Sequence, residues 1–217
     1  MDGPDLSHPR LKYDVEYPGE LSRWLIFVKW LLIIPQLFVL MFLIVAQWII
    51  TSIAWFVILI TGSYSEGLWA FSLRVMRWQA NVTVYSSLMR DEYPPFSGNE
   101  PYPVTFELAY PQHVSRLMIF IKWLLAIPHF VVLYFLAIVA SIVHFVAFFA
   151  ILFTKRYPAS LFNFMVGFQR WTYRVQVYYM LMTDDYPPFT LHDPPMGPTG
   201  PAVGSSPTPP TIGESRF

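Results

Sequence analysis

The sequence predicts an all-α integral membrane protein built from two tandem repeats, each a long Pro-kinked membrane helix followed by an amphipathic helix. Three observations carry this. The 217-residue chain is 55% hydrophobic, 18% aromatic and only 13% charged, about half the charged share of an ordinary soluble domain. Two apolar runs, 24–60 and 117–153, each hold a single Asp, Glu, Lys or Arg: Lys29 in the first and Lys122 in the second. Either run exceeds the ~20 apolar residues that a membrane helix needs. Finally, sliding the chain by 93 residues aligns 17–96 with 110–189 without a gap, and 37 of 80 positions are identical. Identity at that level marks a duplication.

The elements follow in order. Residues 1–12 form a polar N-terminal arm, and repeat 1 spans 13–96. It opens on "SRWLIFVKWLLIIP" (22–35), and repeat 2 has "SRLMIFIKWLLAIP" (115–128) at the matching place. Trp24, Trp30 and Trp123 are interface anchors there, with indole rings at headgroup depth and Arg and Lys snorkelling towards water. Pro35 and Pro128 each remove a backbone donor, so they kink or start helices. The polar turns "TGSYSEG" and "TKRYPAS" close the long runs.

An amphipathic helix comes next. Leu68, Phe71, Val75, Trp78, Val82, Tyr85 and Met89 recur by threes and fours. In repeat 2 the same positions are Leu161, Phe164, Phe168, Trp171, Val175, Tyr178 and Met182. "DEYPPF" and "DDYPPF" then end the repeats, because two prolines forbid further helix, and Tyr93 and Tyr186 suit an interface. Residues 97–105 are a linker, 106–190 are repeat 2, and 191–217 read as a disordered Pro/Gly/Ser-rich tail.

Matched cations in the two repeats favour one shared side, by the excess of Lys and Arg on cytoplasmic loops. That predicts an even number of crossings per repeat, two parallel repeats and cytoplasmic termini. Two arrangements satisfy it. In the first, the amphipathic helix is a return crossing, giving four membrane helices; we take this one as the working expectation. In the second, the long run is a hairpin and the amphipathic helix lies on the surface. Arg77 and Arg170 would lie within the membrane in the first case and contact anionic headgroups in the second.

The charge balance, 14 against 14, gives no reason to expect a nucleic-acid partner, and the absence of Cys excludes disulfides and thiolate chemistry. His129 and His144 lie in the second apolar run. Fifteen residues apart, they stand roughly 22 Å apart on one helix and cannot share a metal. With Arg77 and Arg170 they form a candidate intramembrane or interfacial polar site. No catalytic, cofactor or metal motif is present. Asp91 and Asp184 recur at the ends of the amphipathic helices, where the helix dipole disfavours acids. Structural clamps with cations at each repeat's start are therefore expected: Arg23 with Asp91, and Arg116 with Asp184.

The set "SRxxxFxKWLLxIP", "RW" and "DxYPPF", present twice, resembles a bacterial membrane-protein family known as domain of unknown function 4389. The resemblance covers about 13–190. It implies a bacterial membrane protein and supplies no activity; with the two long apolar runs, the expected location is multi-pass in the bacterial inner membrane. The expected function is a non-enzymatic scaffold or accessory module that organises lipid or partner proteins. The alternatives are a small oligomeric transporter using Arg77 and Arg170, and a membrane-embedded lipid-modifying enzyme. Expected partners are the lipid bilayer with its anionic headgroups, and a membrane protein or further copies of the chain.

Overall fold

The computed structural model describes residues 11–111 and 113–193; most of the polar arm and of the tail lies outside the described residues. The chain order is β1 (Lys12–Val15), α1 (Leu25–Leu32), α2 (Ile34–Thr61), α3 (Glu66–Ser86), β2 (Val104–Glu107), α4 (Met118–Thr154) and α5 (Ala159–Tyr179). The fold is thus mostly helical, and the all-α expectation is corrected by one small antiparallel sheet pairing β1 with β2. Strand β2 straddles the border drawn between linker and repeat 2. Leu11 is already buried, so the ordered part of repeat 1 begins inside the expected arm.

Both long runs are continuous, as the working expectation had them, and the alternative hairpin does not form. Ile33 separates α1 from α2 yet keeps helical dihedrals, φ −79° and ψ −17°. Its N–H donates to the Lys29 carbonyl (2.9 Å) and its carbonyl accepts from Leu37 (2.9 Å), so the helical ladder passes through the break. Pro35 sits in the first turn of α2, where its missing donor costs little. Pro128 lies inside unbroken α4. Leu25–Thr61 and Met118–Thr154, 37 residues each, are long and apolar enough to cross a membrane.

Each long helix buries one narrow stripe. On α1 and α2 it is Ile26, Lys29, Ile33, Gln36, Leu40, Gln47, Ala54 and Ile58. On α4 it is Ile119, Lys122, Ala126, His129, Leu133, Ala140, Ala147 and Ile151. The steps of three, four and seven are those of a helix–helix seam. Beyond the seam and its half-buried flanks both helices are open, with 17 large hydrophobic side chains exposed on each.

The seams face the amphipathic helices. Gln47 donates to Ser72 (2.8 Å) and Trp78 donates to Gln36 (2.7 Å), so α3 returns antiparallel along α2. The bond from Trp171 to His129 (3.2 Å) sets α5 on α4 in the same way. The expected apolar stripe is half-buried to buried, but α3 also buries Trp69, Leu73, Met76, Ala80 and Val84 on a second face. Tertiary contacts with the sheet and with α5 create that second face.

The repeats are related by a pseudo-two-fold axis and not by a parallel shift. Tyr13 pairs with Phe106, its own counterpart 93 residues on, so the axis passes through that pair. Leu21 N–H donates to the Lys155 carbonyl (2.8 Å), and Val114 N–H to that of Gly62 (3.0 Å). Phe27 meets Phe148 (5.6 Å between centroids), and Trp55 meets Phe120 (5.2 Å). The start of each long helix therefore lies beside the end of the other, and the two helices are antiparallel.

The helix ends show what sequence pattern alone misses. Gly62 closes α2 in the left-handed region at φ 75°, as glycine readily does. Its counterpart Lys155 is forced to φ 59°, where a side chain costs about 1–2 kcal/mol. Lys155→Gly should therefore raise stability by about 0.5–1 kcal/mol once glycine's extra chain entropy is deducted, readable as a higher unfolding midpoint in detergent. Leu88 (φ 61°) and Leu181 (φ 65°) are a further left-handed pair. Met89 N–H then reaches the Val84 carbonyl and Met182 N–H that of Val177, the double bonding of a Schellman end. Burial of both leucines offsets the strain.

Candidate functional site

The sharp reversals at Leu88 and Leu181 aim the following acids back along their repeats. In repeat 1, Asp91 Oδ1 lies 2.8 Å from Lys29 Nζ, and its Oδ2 accepts from Ser22 N–H at 2.6 Å. Lys29 also donates to the Arg90 carbonyl (2.6 Å) and sits 5.0 Å from the centroid of the Tyr85 ring. Repeat 2 copies each contact. Asp184 Oδ1 is 2.6 Å from Lys122 Nζ, and Ser115 N–H donates to Oδ2 at 2.7 Å. Lys122 donates to the Thr183 carbonyl (2.8 Å) beneath the Tyr178 ring. Both lysines are buried, 3% and 0% exposed. A charge in that setting stays ionised only with a close partner and filled hydrogen bonds.

The acids thus hold the start of their own repeat, but the cation is not the expected one. The ion pairs are Lys29–Asp91 and Lys122–Asp184, not Arg23–Asp91 and Arg116–Asp184. Arg23 instead donates to the Phe153 carbonyl at 3.0 Å, and Arg116 lies over Gly62; each arginine sits at the end of the other repeat's long helix. The physical reason is depth. A lysine one and a half turns into the apolar run is sealed from water by α3 or α5 and needs the carboxylate more than an exposed arginine does. The sequence did hold that signal, since each lysine is the one Asp, Glu, Lys or Arg in its 37-residue run.

Arg77 and Arg170 also differ from expectation. Arg77 Nε donates to the Phe106 carbonyl (2.9 Å), and Arg170 Nε to that of Tyr13 (2.8 Å). Each amphipathic helix therefore grips the strand of the other repeat. Arg170 continues to the Leu191 carbonyl (3.2 Å), and Asp193 lies 2.5 Å from Arg174. The first residues assigned to a disordered tail are thus packed, beside β1. In each "RW" pair the arginine reaches across the repeats, and the tryptophan bonds its own long helix.

The two histidines of α4 are not brought together. His129 is fully buried, stacked on Phe189 at 3.9 Å and 16°, and accepts the Trp171 N–H through Nδ1. His144 is half-buried farther along α4. Among the described residues, no group of three or more His, Cys, Asp or Glu could hold a metal ion. The anchors Trp24, Trp30 and Trp123 are 82%, 67% and 63% exposed, and Tyr93 and Tyr186 are about half as exposed. Tyr93 donates to the Leu32 carbonyl (3.2 Å), and its ring meets those of Tyr85 and Phe96.

Sequence reasoning gave no role to the tyrosines that join the repeats. Tyr13 donates to Gln169 (2.6 Å), and Tyr17 and Tyr110 bond the carbonyls of Tyr157 and Tyr64. Burial pushes the Tyr13 phenol well above its ordinary pKa, with smaller effects from Tyr173 and Arg170, so it remains a donor. Outside the long helices the repeats also diverge. Arg90 forks onto Glu92 (2.9 and 2.7 Å) and holds that carboxyl below its ordinary range, whereas repeat 2 has Thr183 and Asp185 there.

No curated protein and no solved structure matches the chain. A family profile matches residues 23–98 and 116–190, one segment in each half of the duplicated structure. The chain belongs to the family described as domain of unknown function (DUF4389).

Proposed function

We propose that the protein is a non-enzymatic module of the bacterial cell membrane, a scaffold or accessory subunit that organises lipid or holds partner proteins. The observation that carries this reading is where its conspicuous polar side chains go. Lys29, Lys122, Arg77, Arg170, Trp78 and Trp171 all hold backbone or seam partners, and each does so at two-fold-related positions. Groups engaged in that way build a rigid frame. A transporter would need Arg77 and Arg170 along a water-filled path, and a lipid-modifying enzyme would need His129, His144 or the acids to converge.

The membrane part of the reading rests on the exposed apolar sides of α1, α2 and α4, too extensive for a monomer in water. Arg170 bonds both Tyr13 and Leu191, so the two ends of the described chain leave from one place, which we assign to the cytoplasmic side. The protein should stay with membranes washed in alkaline carbonate and come off in detergent. Vesicles containing it should hold an ion gradient as long as empty ones. Release by carbonate would remove the membrane reading, and rapid collapse of the gradient would favour a pore.

A further inference from the structure

The pseudo-two-fold axis gives the way the chain meets the lipid. The axis turns α1 and α2 onto antiparallel α4, so it runs perpendicular to the long helices. It also passes through the Tyr13–Phe106 pair, which places the sheet level with their middles. The middles of α3 and α5 confirm that level, since Arg77 and Arg170 hold the strands there.

Consider the helices crossing the bilayer. The axis would lie in the membrane plane, with the sheet at the bilayer's mid-depth. The outer face of the sheet carries Lys12, Asp14 and Glu107, with side chains 58%, 66% and 64% exposed. Each such charge at the bilayer centre costs about 2.5–3.5 kcal/mol, and the irregular backbone beside it would face lipid without partners. Length raises a second objection. Thirty-seven residues make a helix of about 55 Å, against a hydrocarbon core of about 30 Å. Fitting it would take a tilt of about 57°, beyond the roughly 40° limit for membrane helices.

Both objections vanish with the axis along the membrane normal. We propose that α1, α2 and α4 lie in the plane of the membrane, sunk into a single leaflet, with the β1–β2 sheet facing the water above them. This rests on the membrane reading of the preceding subsection. Two-fold-related residues then share one depth: Arg23 with Arg116, Trp30 with Trp123, Tyr93 with Tyr186. That is how cations and aromatic rings line an interface. The matched cations also share one side, with no crossing at all. The occupant of the apolar face is lipid, because its flanks carry these anchors while its opposite face carries the charges.

The chain has no native cysteine, so single ones report cleanly. Glu66→Cys and Ala159→Cys place exposed thiols 93 residues apart, at opposite ends of the long helices, and Glu107→Cys places one on the sheet. A membrane-impermeant maleimide is applied to intact spheroplasts and to inside-out vesicles. All three should label in one preparation and none in the other. Opposite-sided labelling at 66 and 159, with 107 protected, would overturn the in-plane arrangement while leaving the membrane reading intact. Failure of the protein to float with vesicles would remove the membrane reading, as would burial of the apolar face in a soluble dimer; either result takes this proposal with it.

Discussion

Asp184→Ala should lower stability by about 3 kcal/mol, a drop of roughly 6–12 °C in the melting temperature for a chain of this size. The substitution strands Lys122, which is fully buried, and removes the acceptor from Ser115 N–H. Loss of one partner from a buried ion pair costs about 3–5 kcal/mol, and the lower end applies because the Asp184 side chain is 31% exposed. The charge left behind causes most of the damage, so Lys122→Met combined with Asp184→Ala should be less harmful than Asp184→Ala alone. Thermal unfolding in detergent measures both. A shift under 2 °C for the single variant, or a double variant worse than the single, would refute the latch. Asp91→Ala should act in the same direction on repeat 1.

Tyr13→Ala should cost about 3–5 kcal/mol, the range for deleting a fully buried aromatic side chain. Tyr13 sits on the pseudo-two-fold axis, 5.1 Å from the Tyr173 ring and 6.2 Å from that of Phe106, so its loss opens a cavity between the repeats. Tyr13→Phe isolates the hydroxyl and should cost about 1–2 kcal/mol by leaving Gln169 without its donor. The other half of the molecule supplies the repair. At the positions related to Tyr13 and Gln169 stand Phe106 and Met76, both buried in the same apolar cluster. Tyr13→Phe with Gln169→Met copies that pair and should return to within about 0.5 kcal/mol of the parent. Urea midpoints read all three variants, and a double variant no better than Tyr13→Phe would disprove the pairing.

Much of the frame was legible in the sequence, and the reason lies in what is local. Composition and run length identified the long helices, because apolar content accumulates along the chain. The 93-residue offset identified the repeats. Threes-and-fours spacing found the stripe from Leu68 to Met89, and the acid before "YPPF" was read as a clasp to the repeat's start. By contrast, "KYDV" and "VTFE" are four residues each, too short for alternation to distinguish a strand from a loop.

The clasp's partner also lay beyond local pattern. Arg23 and Lys29 are six residues apart, and either can be drawn against Asp91. Only the left-handed turn at Leu88, together with the depth of the α1 seam, selects Lys29. Arg77 read as an intramembrane or interfacial charge because its partner, a strand carbonyl of the other repeat, appears only after the halves come together.

By itself, the sequence determined that two copies of one apolar-plus-amphipathic unit follow each other and that each ends on an acid held at its start. Tertiary structure alone decided that the copies meet about a two-fold axis, grip each other's strands and run their long helices antiparallel. The physical reason is that helix formation and hydrophobic burial are written in residue spacing. The choice among partners far apart in the chain depends on where reversals point the backbone, and on which buried charge most needs a counter-ion.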